Sequence, residues 1–136
     1  MATYLEGTRM PFMPAVRRRS VLIIHDDVDA ADVMRLRIRA YCACDTSVAN
    51  GFRHALDEAG RVLPDVVVLD VDWPATETLR IVRQLRADAR FSETMLIALT
   101  GSPGAAAASI ETGCDHHLPK PPDMHALRAL IQGHGR

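Results

Sequence analysis

The chain is almost without lysine. Its 16 Lys+Arg residues are arginines with one exception, Lys120. An excess of charge is lacking too: 16 basic against 17 acidic residues leaves a formal charge of −1, which excludes a nucleic-acid or membrane-surface module driven by bulk charge. Cysteine is scarce and odd in number. Cys42, Cys44 and Cys114 make no disulfide framework, and a reduced cytoplasmic chain is the expectation. No apolar run reaches the length of a membrane span, and the first residues hold no secretory core. Repeats, low-complexity tracts and internal linkers are absent as well. What is there is a chain of 136 residues, 48% hydrophobic and 24% charged, enough for one compact domain and too short for two ordinary ones. An arginine-biased surface explains the missing lysines and leaves Lys120 to be explained.

Residues 1–19, with two prolines, four arginines and no period, read as an N-terminal tail, and 20–133 as the domain. Within the domain two kinds of segment alternate. Val21-Leu22-Ile23-Ile24 is a β-branched apolar run, the pattern of a strand buried on both faces. Asp29 is a candidate cap for a helix whose inner face carries Ala30, Val33, Met34, Ile38 and Tyr41. A weak strand at Thr46-Ser47-Val48 precedes a helix capped by Asn50, with Phe52, Ala55, Leu56 and Ala59 inside and Gly60 near its end. Val66-Val67-Val68-Leu69 is the strongest buried-strand signal. A helix through Leu79, Ile81, Val82 and Leu85 ends near Asp88. A strand over Thr94 to Leu99 follows, then an alanine-rich helix from Gly104 to Thr112 stopped by Gly113. A short strand over His116 to Leu118 and a helix bearing Met124, Leu127, Leu130 and Ile131 complete the chain. Five strands alternating with helices predict a doubly wound α/β domain on a parallel sheet.

In such folds the carboxyl ends of neighbouring strands converge on one crevice. The residues just past each apolar run are therefore the informative ones: His25-Asp26-Asp27, Asp70, Thr100 and Lys120. Clustered carboxylates repel unless a cation joins them, and Mg²⁺ takes one or two carboxylates with waters and phosphate oxygens. A hydroxyl and an ammonium suit a phosphoryl group. Asp70 could act as a carboxylate nucleophile that forms an acyl phosphate. A single Asp, Thr or Lys at a strand end is ordinary turn chemistry; four on one sheet edge are not.

The runs Val21 to Asp27, Pro64 to Asp70, Ala98-Leu99-Thr100-Gly101 and Lys120-Pro121, in this order and spacing, resemble the receiver domains of two-component response regulators. The resemblance covers Val21 to Ile131. It implies a flavodoxin-like (βα)₅ fold with strand order 2-1-3-4-5. Asp70 would accept a phosphoryl group from a sensor histidine kinase or a phosphotransfer protein. Asp26 and Asp70, with the backbone carbonyl of Asp72, would bind Mg²⁺. Thr100 would hydrogen-bond the phosphoryl group, Lys120 would pair with one of its oxygens, and the Lys120-Pro121 peptide would be cis. Gly101 would leave the phosphoryl group accessible. Phosphorylation would bias a partner-binding surface around the fourth helix, fifth strand and fifth helix, with a homodimer one form of that partnership. It also implies a signalling phosphoacceptor rather than an enzyme, capable at most of self-phosphorylation and self-dephosphorylation. No membrane association and no direct nucleic-acid binding are expected.

The departures from the family are specific. His25 stands at the first acidic position. Sliding the register by one would restore an acidic pair at Asp26-Asp27, but it would spoil the inner face of Ala30, Val33 and Met34. An imidazole at that position removes one negative charge from the Mg²⁺ site, contacts the ion through water, or makes the site pH-sensitive. Otherwise it is a structural residue. Glu77-Thr78 stands where an acidic residue and a glycine are usual, so the loop after Asp70 loses its easy positive φ. Asp72 adds an acid near the phosphoryl site, and Trp73-Pro74 keeps the bulky-residue-then-proline pattern. His117 replaces the switch aromatic three residues before Lys120. Pro119 is tolerable only in an edge strand.

Other functions compete. A degenerate receiver would dock partners without phosphate. Asp70-Val71-Asp72 also looks like the opening of haloacid-dehalogenase phosphatases, with Thr100 and Lys120 as their later motifs. However, a strand and helix precede it, and only Asp123 stands where that family needs its acidic motif. A zinc site from Cys42, Cys44, Cys114, His116 and His117 would need ligands from opposite edges of the sheet, so buried structural cysteines are expected instead. Three arginines at 17–19 are read as a solvated run.

Overall fold

The computed structural model describes residues 18–72 and 75–133. Five strands, β1 (Arg19–Ile24), β2 (Cys44–Ala49), β3 (Val66–Asp70), β4 (Met95–Thr100) and β5 (His116–Pro119), alternate with five α-helices. These are α1 (Val28–Tyr41), α2 (Phe52–Val62), α3 (Thr76–Ala87), α4 (Pro103–Thr112) and α5 (Met124–Gly133). All pairings are parallel, in the order β2-β1-β3-β4-β5, as expected. Arg19, counted with the tail from sequence, is the first residue of β1. Among the described residues no helix is long and apolar enough to cross a membrane.

Because side chains alternate across a strand, each apolar run feeds two cores. Leu22, Ile24, Val67, Leu69, Leu96 and Ala98 pack with residues of α2, α3 and α4. Val21, Ile23, Val66, Val68, Ile97 and Leu99 pack on the other face with Ile38 of α1 and Leu127 and Ile131 of α5. Both faces are covered, so continuous apolar runs rather than alternating ones are what the sheet requires. Pro119 lies in β5, an edge strand as expected.

The starts of α1 and α2 differ from the sequence pattern. Asp27, not Asp29, caps α1: its carboxylate accepts from the N–H groups of Asp29 (2.9 Å) and Ala30 (3.1 Å), satisfying two donors that the first turn leaves open. The helix buries Ala31 and Ile38, whereas Val33 is 57% exposed and Tyr41 40%. Val33 therefore gives no ground for choosing His25 over Asp26 as the first residue of the pocket. The strand register gives it instead: Ile24 pairs with Leu69, so His25 comes level with Asp70. Gly51 rather than Asn50 precedes α2, at φ +81°, and the Asn50 side chain is used elsewhere. That helix has Gly60 near its end, as expected, and closes on Leu63 in the left-handed region, φ 47°. Glu77 and Thr78 lie in the first turn of α3, so no positive φ is needed there. Trp73-Pro74 and Arg17 lie outside the described residues.

Candidate functional site

The centre of the crevice is Asp70, the last residue of β3, whose carboxylate is 11% exposed. Parallel pairing on both sides sets its neighbours: β1 delivers His25 beside it and β4 delivers Thr100 one residue beyond its partner Leu99. The Lys120-Pro121 peptide past β5 is cis, as the resemblance implies. The Lys120 ammonium reaches Asp70 Oδ1 at 2.7 Å and Asp72 Oδ1 at 2.5 Å. Burial alone would lower the pKa of this ammonium. The hydrogen bonds and charges of Asp70 and Asp72 outweigh it and hold Lys120 above the ordinary lysine value. Asp72 thus brings its side chain into the site, and that side chain is 76% exposed.

His25 occupies the other flank, its Nε2 3.5 Å from Asp70 Oδ2. The backbone of His25 is tied down on both sides: its N–H donates to the Ala49 carbonyl (3.1 Å) and its own carbonyl accepts from Asn50 Nδ2 (2.7 Å). Asn50 is a positioning residue that sequence reasoning assigned to a helix cap. Its place at the carboxyl end of β2, the strand next to β1, was the available signal. The Asp27 carboxylate is taken up in capping α1, and Asp26 is exposed.

Thr100 is buried. Its Oγ1 accepts from the Ser102 N–H (3.1 Å) and donates to the Ser102 carbonyl (3.4 Å). Ser102 in turn caps α4 by accepting from the Ala105 N–H at 3.3 Å. The Thr100 hydroxyl is therefore linked to the start of α4 by one residue. A groove of about 440 Å³ beside it is lined by Ser102, Ala106, His117 and Lys120, and His117 is exposed. A Cβ at Gly101 would meet nothing within 4 Å, so packing does not demand a glycine there. A second groove, of about 380 Å³, opens onto Asp70 between Ala30 and Met34 of α1 and Pro121-Pro122, with His25 and Lys120 on its wall.

Mg²⁺ takes hard oxygen donors, often only one or two carboxylates with waters. Asp70, Asp26 and the Asp72 carbonyl are donors of that chemistry. Among the described residues no group of three His, Cys, Asp or Glu side chains closes around a metal, and the first acidic position is a histidine, His25. The donor set fits such an ion with one negative charge fewer. The three thiols are buried and free. Burial pushes Cys44 up to about 11 and Cys114 up to about 12. Because β2 and β5 are opposite edges of the sheet, they form no zinc site with His116 and His117.

A nearly buried carboxylate at a strand end, an ammonium on it and a hydroxyl coupled to the next helix form a polar cluster whose chemistry suits a phosphoryl group. The family model described as the response regulator receiver domain matches residues 21–132. The response regulator MprA of Mycolicibacterium vanbaalenii is 30% identical over 112 residues, which are 82% of this chain and 48% of that protein. The chain thus spans about half the length of the curated relatives it matches. Two solved structures share the fold. The chemotaxis response regulator CheY4 of Vibrio cholerae has TM-score 0.74 and 21% identity, covering 88% of this chain and 100% of that one. The receiver domain of Saccharomyces cerevisiae Ssk1, crystallised with the histidine phosphotransfer protein Ypd1, has TM-score 0.72 and 20% identity, covering 87% and 89%.

Proposed function

The chain belongs to the response regulator receiver domain family, signalling proteins rather than metabolic enzymes, and from that premise we propose that Asp70 is its phosphoacceptor. The observation that carries this is the Lys120 ammonium held on Asp70 at 2.7 Å. An Asp70 oxygen attacks phosphorus and the bond to the leaving group breaks. Lys120 then exchanges its carboxylate partner for a phosphoryl oxygen, with Asp72 keeping the ammonium in place. Thr100 donates its hydroxyl to the phosphoryl group, giving up its bonds to Ser102 and so altering the start of α4. The surface changed is that of α4, β5 and α5, where His117 lines the groove beside Thr100. Mg²⁺ held by Asp26, Asp70 and the Asp72 carbonyl would neutralise charge on the phosphoryl oxygens. The donor is a histidine kinase or a phosphotransfer protein; the crystallised pairing of the Ssk1 receiver with Ypd1 supports that class of partner.

Titration with beryllofluoride, a phosphoryl mimic, tests this. Shifts in NMR resonances should centre on Asp70, Thr100 and Lys120, extend to Ser102 and the first turn of α4, and vanish in Asp70→Asn. Absence of any shift at saturating mimic would contradict the proposal and favour a docking module independent of phosphate.

A further inference from the structure

We infer that the outward face of α1 is an interface for a second copy of this chain, the two helices packing antiparallel about a two-fold axis. This face is not that of α4, β5 and α5, and the inference does not depend on Asp70. Inward, α1 gives Ala31 and Ile38 to the core, with Met34 packed against it. Outward, Asp29, Val33, Leu36 and Ala40 form one stripe, all exposed and spaced by four, three and four residues. That is the seam spacing of two helices lying side by side. A helix face that stays in water carries charged and polar residues instead. Here its centre is Val33 and Leu36, 57% and 58% exposed.

The order of charges identifies the occupant. Every acid of α1, Asp29 and Asp32, lies before its midpoint, and every base, Arg35, Arg37 and Arg39, lies after it. Val33 and Leu36 stand symmetrically on either side of that midpoint. A two-fold axis there sets Val33 of each copy on Leu36 of the other and lays each acidic half along a basic half. A contact between identical faces must be complementary to itself, and a charge order that reverses across the midpoint meets that demand. The charges are available: Asp29, Arg37 and Arg39 make no ion pair among the described residues, and Asp32 reaches only Arg35 of its own helix, at 3.6 Å. The helix dipole also favours acids first and bases last, but it asks nothing of the apolar pair between them. A helix of 14 residues is about 21 Å long. The seam alone therefore falls at the small end of specific interfaces, below about 1,200 Å². Such a dimer is weak and forms with rising concentration.

Sedimentation equilibrium of the full chain from about 10 µM to about 1 mM, the span of weak complexes, should show the mass rising from that of a monomer toward that of a dimer. Leu36→Gln should weaken association at least about tenfold, because two such side chains leave the seam in each dimer. Asp29→Arg with Asp32→Arg should weaken it similarly by setting base against base, and Arg37→Glu with Arg39→Glu by setting acid against acid. An equal mixture of these two double variants restores opposite charges at both ends. It should associate as a heterodimer about as tightly as the wild type, with the circular dichroism of each variant unchanged. A monomer at every concentration would overturn the inference, whatever else covers the face. So would a dimer that Leu36→Gln leaves intact, which would use another surface, or a mixture of folded charge variants that stays monomeric.

Discussion

Lys120 sits between Asp70 and Asp72, and its residue type matters there. An ammonium is a compact point charge, whereas a guanidinium is a planar fork with fixed donor directions. Lys120→Arg should therefore label with acetyl phosphate at least about tenfold more slowly, as expected for a displaced donor at a developing charge. The carboxylates hold the Lys120 pKa above its ordinary value. Its stabilising contribution is therefore full below the unfolded lysine value of about 10.4 and fades as pH rises through the raised value. Urea unfolding should show the stability gap between wild type and Lys120→Gln narrowing across that alkaline range and constant below it. At the thiols, burial sets the outcome. With Cys44 near 11, only about one molecule in a thousand holds its thiolate at pH 8, so Cys44 and the still higher Cys114 should resist alkylation until the protein unfolds. Rapid native labelling of either would contradict their burial. The special status of Lys120 was legible because it is the lone lysine. The role of Asn50 was not, because its bond to the His25 carbonyl exists only once β1 and β2 are side by side.

Among the elements, the strands were the most legible. β1, β3 and β4 are buried on both faces, and that demand writes itself as continuous β-branched runs. The inner face of α1 was read in part: Ile38 is buried and Met34 packs on the core, but Val33 and Tyr41 are exposed and Ala31 is buried in their place. Ala30, Ala31, Val33, Met34, Leu36 and Ile38 supply apolar residues on several sides, and periodicity alone cannot choose among them. The choice is made by where β1 ends and by Asp27, whose cap starts the helix before Asp29. Ile38→Ala, at a site with no exposure, should cost about 2–5 kcal/mol. Leu36→Gln, at 58% exposure, should change stability by no more than about 0.5 kcal/mol. Chemical denaturation of the two variants separates the faces, and equal costs would contradict the orientation described. α2 ends near Gly60 as its sequence suggests, and Leu63 closes it at positive φ, a place where glycine is usual, with Pro64 just beyond it barring continuation.

For the molecule as a whole, function depends on bringing together residues far apart in the chain. Asp70, Lys120, Thr100 and His25 come from four strands and meet because parallel pairing aligns the carboxyl ends. This convergence could be read before any coordinates, since topology alone requires it. The contacts within the cluster could not. That Asp72 shares the ammonium, that Asp26 stays exposed and that Thr100 is bonded to Ser102 depend on side-chain directions in the loops. The central claim is that this edge of the sheet accepts a phosphoryl group on one carboxylate. It is tested most directly by peptide mapping of the protein after incubation with acetyl phosphate and Mg²⁺. The account predicts a single phosphoryl adduct, on the peptide containing Asp70, that is absent from Asp70→Asn. No adduct on that peptide, or one that persists in Asp70→Asn, would contradict it.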